Sequence, residues 1–455
     1  MSYDVIVIGG GPGGYQAAIE AAAGGYFVAL AEKGNLGGVC LHEGCIPAKT
    51  FLYSARLFER MREAETYGLY TGETALLMSG ILERKERIVS TLYKGLEARL
   101  QKHQIEILRS AARIESLDGR IRIALDNGTR ISGRNLIIAS GSCPFFPDIP
   151  GLTDAFADGF ALDGSGFLRG AETGRKVVII GSGMVGIEFA GFLADTGTEV
   201  TLLDSRSEIL GELDDDVRKI FLRSLMSKGI RIRLGVDVLE VDARERGIRI
   251  RDGGEEEIQC DKVVVCTGRM PCTGGLGAAE AGIAMENGRI LTDDYCRTNR
   301  EHVYAVGDVN GRVMLAHTAY AEAKAAVGHM MGKPQKVEYP LIPRVIYSNP
   351  EAAWTGVREK DLNPDGKEYV GCSCSMRYSG KFLIENEREQ GICKLVWEKA
   401  TGCLKGCFLV GDGASELIIT AENMIRDKKT AEDIKHMVFP HPSVGEVLQE
   451  CAYMA

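Results

Sequence analysis

The chain has 455 residues, 45% of them hydrophobic, and a formal net charge of −9. This length allows about three domains with ample cores, and the acidic balance with scattered basic residues argues against nucleic acid or an anionic membrane as the main partner. Thirteen cysteines, an odd number spread through a long chain, do not suit a secreted disulfide framework and point to a reducing compartment.

No basic leader precedes the first strand pattern, and the longest apolar stretch, Ala17 to Ala31, is interrupted by Glu20. Neither a signal peptide nor a membrane span is expected, and the expected setting is cytoplasmic. The first elements are a short apolar strand over residues 4–8, then Gly9, Gly11 and Gly14 with G-x-G-x-x-G spacing. A small-residue helix from Ala17 to Gly24 follows, then a strand from Phe27 to Ala31 that ends at Glu32. Glycines at this spacing let backbone approach a pyrophosphate at a helix N-terminus, and the acid after the second strand can hold an adenosine ribose.

Directly after this unit comes Gly37-Gly38-Val39-Cys40-Leu41-His42-Glu43-Gly44-Cys45-Ile46-Pro47-Ala48-Lys49. Two thiols at this spacing beside a dinucleotide site can open and close as a disulfide while electrons pass. A regular helix would hold positions i and i+5 roughly 8–9 Å apart, whereas a disulfide needs Cα atoms within about 4.4–6.8 Å. The segment is therefore expected to be a bent turn or distorted helix start, with Gly44 as the permissive position and Pro47 early in the helix. The alternatives are zinc, for which His42 offers only a third ligand where four are wanted, and inert thiols.

Thr74 to Gln104 reads as a long helix. Ile114 to Ile131 alternates like strands around a turn at Asp126-Asn127-Gly128, and Leu136 to Gly141 is a buried strand ending in small residues. Residues 176–180 then open a second fingerprint, with Gly181, Gly183 and Gly186, a helix from Ile187, a strand from Glu199 to Leu203, and Asp204. Gly9 precedes Glu32 by the same spacing as Gly181 precedes Asp204. Two such units imply two dinucleotides, and a two-electron relay usually pairs a flavin with a nicotinamide. An acid such as Asp204 accepts a free 2′-hydroxyl and repels a 2′-phosphate, favouring NAD over NADP; Arg206 nearby weakens that preference.

Val263 to Gly268 and Val303 to Asp308 are further buried strands. From about Glu338 the pattern changes to strands and helices without glycine fingerprints, which suggests a separate C-terminal domain. Its Cys372, Cys374, Cys403 and Cys407 are expected to be packing thiols, with a second redox or metal pair as the alternative. No metal site is expected. In the tail, Pro442 fixes the backbone after His441, and the carboxylate of Glu446 can hold one ring nitrogen while the other accepts a proton.

With these segments in order, the chain resembles the pyridine nucleotide–disulfide oxidoreductase family over essentially its whole length, most closely the members that oxidise dihydrolipoyl groups. The family's redox motif, G-G-x-C-x-x-x-x-C-x-P-x-K, is matched from Gly37 to Lys49. Met314-Leu315-Ala316-His317 after Gly307-Asp308 matches the segment along the flavin, and His441-Pro442 with Glu446 matches the tail that closes the active site of the partner subunit.

The resemblance implies an α/β fold with two Rossmann-like domains, for FAD and NAD, and a C-terminal α+β dimerisation domain. The implied boundaries are residues 1–145 and 266–335 for the FAD part, 146–265 for the NAD domain and 336–455 for dimerisation. It implies an FAD site at Gly9, Gly11, Gly14 and Glu32, with Lys49, Ala112, Gly141, Asp308 and Met314 to His317 around the flavin. It implies an NAD site at Gly181, Gly183, Gly186, Glu188 and Asp204, lined further by Val238 and Gly268, with Lys49 pairing with Glu188. Cys45 would lie against the flavin, Cys40 would exchange with substrate, and His441 with Glu446 would supply the base.

The implied partners are a second copy of the chain and lipoyl-carrying proteins of a 2-oxo acid dehydrogenase or glycine cleavage complex. Ser140, Cys272 and Phe439 depart from the family's usual residues, which bears on substrate more than on reaction class. Glutathione-type and mercuric reductases are the alternatives within the family, and a non-catalytic redox-sensing flavoprotein is the alternative outside it.

Overall fold

Apolar strands alternating with glycine turns and helices build two parallel sheets in a computed structural model, which describes residues 2–170, 172–362 and 368–455. The chain forms two compact units, each assembled from three separate segments.

The first unit takes residues 2–50, Ser79–Phe146 and Gly268–Tyr339. Its parallel strands run in the order Glu106–Leu108, Val28–Ala31, Ser2–Ile8 and Arg130–Ile138, with Val303–Ala305 also pairing with Arg130–Ile138. Ile8 stands beside Ala31 and Ile138, and Ile138 beside Ala305. This register brings the carboxyl ends of the strands to one edge, where an open α/β sheet forms its ligand crevice. Ile6, Leu136, Ile138 and Ala305 are fully buried in its core. The helix expected from Ala17 starts earlier, spanning Pro12–Ala23, because Pro12 occupies the first turn, where its missing N–H costs nothing. The long helix spans Met78–Lys102. The expected hairpin is the pair Ile121–Leu125 and Arg130–Ile138, joined across Asn127 and Gly128, with Ala112–Ser116 on its outer side.

The second unit takes residues 51–78, 147–267 apart from 171, and the described part of 340–455. One sheet repeats the parallel plan in the order Arg231–Leu234, Glu199–Asp204, Lys176–Ile180, Lys262–Val265 and Ala161–Asp163. The C-terminal sheet is antiparallel, in the order Arg344–Ile346, Ala352–Gly356, Leu404–Val410, Ile392–Glu398 and Tyr369–Ser375. Residues of the helices Ala414–Arg426 and Glu446–Ala452 share one core with it. Among the described residues, no helix is long and apolar enough to cross a membrane.

Candidate active site

Cys40 and Cys45 are joined as a disulfide with their Cα atoms 4.7 Å apart, within the range a bridge requires. A short helix, Gly38–His42, ends at Glu43, and a long one, Cys45–Arg62, starts two residues later. The expected break is there, with Pro47 in the first turn, but Gly44 is not its special position. Its φ is not left-handed, whereas Gly37 and Gly38 have φ of +97° and +58°. A Cβ on Gly37 would come within 2.4 Å of Leu41, and one on Gly38 within 2.9 Å of the Gly11 backbone. The redox turn is thus pressed against the first glycine loop. Nε2 of His42 lies 2.8 Å from the carbonyl oxygen of Leu36.

Cys45 is the first residue of its helix. Unpaired N–H groups and the helix dipole favour negative charge at that end, which stabilises a thiolate at Cys45. Lys49 follows one turn further on the same helix.

Both fingerprints close in the same way. A Cβ on Gly9 would lie 2.2 Å from the carbonyl oxygen of Ala139, and one on Gly14 1.7 Å from that of Gly9. A Cβ on Gly181 would lie 2.3 Å from the oxygen of Cys266, and one on Gly186 2.0 Å from that of Gly181. The middle glycines differ. Gly11 and Gly183 cap the 12-residue helices Pro12–Ala23 and Met184–Asp195, and a Cβ on either would meet nothing within 4 Å. Open space before a helix N-terminus suits a pyrophosphate, so both loops fit a dinucleotide.

The two acids are held by their own loops. Glu32 accepts hydrogen bonds from the N–H of Gly10 at 2.5 Å and of Gly34 at 2.6 Å. Asp204 accepts from the N–H and hydroxyl of Ser182 at 2.8 and 2.6 Å, and from the N–H, Nε and Nη2 of Arg206 at 2.9, 3.0 and 2.8 Å. Burial opposes its charge, but the bonds from Arg206 and Ser182 outweigh it and hold the carboxyl well below the usual range. Arg206 is therefore engaged with Asp204 itself. Buried Glu188 accepts from the N–H of Tyr347 at 3.0 Å. Val238 lies half-buried on the strand Asp237–Asp242. Gly268 has φ of +110° with open space around it.

Asp308 sits in the one-turn helix Gly307–Asn310 and accepts from the hydroxyl of Ser142 at 2.5 Å. Arg269 in turn donates to the hydroxyl and carbonyl oxygens of Ser142 at 2.7 and 2.6 Å. Buried Glu322 accepts from the N–H of Gly307 and from the Tyr339 hydroxyl at 2.8 Å. Met314 and Leu315 lead into the helix Ala316–Met330, which carries His317 in its first turn. Ala112 opens the strand Ala112–Ser116, and Gly141 has φ of +75°. Ser142 and Glu322 belong to no motif, and nothing in their spacing marks them.

His441 is highly exposed, with its side chain at 81% of full accessibility. Its Nδ1 lies 2.8 Å from Oε1 of Glu446, whose other oxygen accepts from the N–H of Ser443 at 2.8 Å. These two bonds hold the Glu446 carboxyl below its ordinary range, Ser443 first. The acceptor at Nδ1 selects the tautomer with a lone pair on Nε2, which has no hydrogen-bond partner among the described residues. Ser443 and Glu446 have the S-x-x-E spacing of a capping box, a signal that could have identified Ser443.

The pyridine nucleotide-disulphide oxidoreductase family profile matches residues 3–323, and that of its dimerisation domain matches residues 342–452. The dihydrolipoyl dehydrogenase of Geobacillus stearothermophilus is 33% identical over 456 residues, covering 99% of this chain and 96% of its own. Leghemoglobin reductase of Glycine max is 34% identical over 460 residues, covering 99% and 87%. The HOCl-induced flavoprotein disulfide reductase RclA from Escherichia coli superimposes with a TM-score of 0.87 at 23% identity, covering 99% of this chain and 100% of that one. Family members use FAD and NAD(P), and the dimerisation domain supports a homodimer. With its redox disulfide, two dinucleotide loops and dimerisation domain, the chain belongs to the pyridine nucleotide-disulphide oxidoreductase family.

Proposed function

We propose that the chain is an NAD-dependent dihydrolipoyl dehydrogenase that works as a homodimer. The observation that carries this reading is the His441–Glu446 pair, an imidazole held on a carboxylate in a chain that also holds the Cys40–Cys45 disulfide. A dithiol substrate needs such a base, and relatives at 33% identity over nearly the full chain carry this activity in their names.

Nε2 of His441 takes a proton from the dihydrolipoyl dithiol. The resulting thiolate attacks Cys40, forming a mixed disulfide and releasing Cys45 as a thiolate at its helix N-terminus. The second substrate thiol then displaces Cys40, so the substrate leaves as a cyclic disulfide and the chain holds a reduced Cys40–Cys45 pair. Bound FAD supplies the two-electron relay from that pair to NAD⁺. Residues 1–145 and 266–335 would serve FAD, with Lys49 beside the flavin ring. Residues 146–265 would serve NAD, with Asp204 on the ribose diol, and residues 336–455 would offer His441 to the disulfide of the second copy. The expected dithiol carriers are lipoyl proteins of a 2-oxo acid dehydrogenase or glycine cleavage complex.

The test is steady-state oxidation of NADH and of NADPH, each with lipoamide and with oxidised glutathione. Rapid turnover with NADH and lipoamide alone is expected. Turnover with glutathione but not lipoamide would overturn the substrate assignment, and a preference for NADPH would overturn the role of Asp204.

A further inference from the structure

Of the expected packing thiols, Cys374 and Cys407 are buried and Cys372 and Cys403 half-buried, and Cys374 also belongs to a group of three. Cys374 stands directly opposite Cys393 across two paired strands. Cys372, two residues earlier, faces the same side, and Cys451 comes from the helix Glu446–Ala452. Cys393 and Cys451 are 0% exposed and Cys374 5%. The sulfurs of Cys374, Cys393 and Cys451 lie within 4.8 Å of one another, and the group contains no histidine or carboxylate. Cys372 stands at its edge, with its sulfur 3.8 Å from that of Cys451 and accepting the indole N–H of Trp397 at 3.1 Å.

Three sulfurs bonded to one ion at about 2.3 Å are about 4 Å apart when the ion lies in their plane. The observed group needs shifts of tenths of an ångström to reach that geometry. An all-sulfur donor set rejects hard cations and selects soft ones. Zinc would close its shell with a fourth ligand, but Cys372 lies outside the trio and is engaged by Trp397. We propose that Cys374, Cys393 and Cys451 form a buried three-sulfur site for a soft monovalent cation, cuprous copper.

Binding exchanges S–H bonds for S–Cu bonds, and the displaced protons, up to three, leave to solvent. Neither sulfur nor copper changes oxidation state. Local opening of the covering helix, Glu446–Ala452, admits an ion without unfolding the sheet. That helix begins at Glu446, so an ion held through Cys451 also anchors the carboxylate that orients His441.

The test uses full-length, flavin-loaded protein carrying Cys40→Ser and Cys45→Ser, which removes the redox pair as a competing ligand. It is titrated anaerobically with cuprous ion against a chromogenic chelator. One tightly held equivalent is expected, with X-ray absorption reporting three sulfur ligands at about 2.3 Å. Cys374→Ala, Cys393→Ala or Cys451→Ala should each weaken binding by more than about 100-fold, beyond the loss of an outer-shell partner. Cys403→Ala should leave it unchanged. Flavin content checks that each variant folds, and the ligand count of the parent stands without any variant. No retained copper, fewer than three sulfurs, binding unchanged in the three variants, or preferential retention of zinc would each overturn the assignment.

Discussion

Replacing Asp204 by Asn probes nicotinamide selectivity with almost no change of shape. Oδ1 accepts from the N–H and Nε of Arg206, and Oδ2 from the N–H and hydroxyl of Ser182 and from Nη2 of Arg206. Whichever way the amide turns, its NH₂ faces at least two of these donors, so the loop must shift or leave them unpaired. A charge-assisted hydrogen bond contributes about 1.5–3 kcal/mol, and about 1.4 kcal/mol corresponds to tenfold. The kcat/KM for NADH should therefore fall by roughly 10- to 150-fold. Repulsion of a 2′-phosphate disappears at the same time, and Arg206 loses its partner, so NADPH should lose less than NADH. The assay is steady-state kinetics with both cofactors on preparations of equal flavin content. An NADH-to-NADPH ratio within about threefold of the parent's, far inside the range calculated above, would refute the placing of Asp204 on the ribose.

Three further changes address other parts of the molecule. Glu446→Gln should cut lipoamide turnover by at least tenfold, since a positioned general base contributes about 10²–10⁴-fold; flavin content should not change, and full turnover would remove Glu446 from the base. Lys394, 7% exposed, meets Asp214, Asp216 and Glu359 at 3.1–3.2 Å. Lys394→Met leaves buried Asp214 without its cation and should cost about 3–5 kcal/mol in urea unfolding; a loss under about 1 kcal/mol would contradict the buried-pair argument. Burial pushes the carboxyl of Glu322 from its ordinary 4.5 up to about 7. Between those values the folded chain binds a proton that the unfolded chain has released, so stability falls as pH rises through the window. Glu322→Gln should flatten that slope relative to the parent, and an unchanged difference between pH 4.5 and 7 would show that the carboxyl is not perturbed.

The glycine loops, their acids and the redox turn were legible because each is a local pattern with a strong backbone requirement. Gly9, Gly14, Gly181 and Gly186 have no room for a Cβ, and such constraints leave a mark in sequence. Gly44 misled because proximity to the bend was taken for the bend's cause, whereas the left-handed residues are Gly37 and Gly38. The Arg269–Ser142–Asp308 chain escaped notice because its members come from distant segments and each residue type is common on surfaces. The thiol group escaped for the same reason. Cys374, Cys393 and Cys451 are brought together by strand register and helix packing, and neither can be counted off along the chain.

The segmented build of the first unit bears on how the protein is made. Its opening segment ends at Thr50, yet the strand Val303–Ala305 and the helix Ala316–Met330 that complete its sheet and cover belong to a segment ending at Tyr339. At roughly 5–20 residues per second, the ribosome delivers that last piece tens of seconds after the first glycine loop has emerged. Once made, Ile137 and Ile138 can pair with Val7 and Ile8 on one side, but their other edge stays open until Tyr304 and Ala305 arrive.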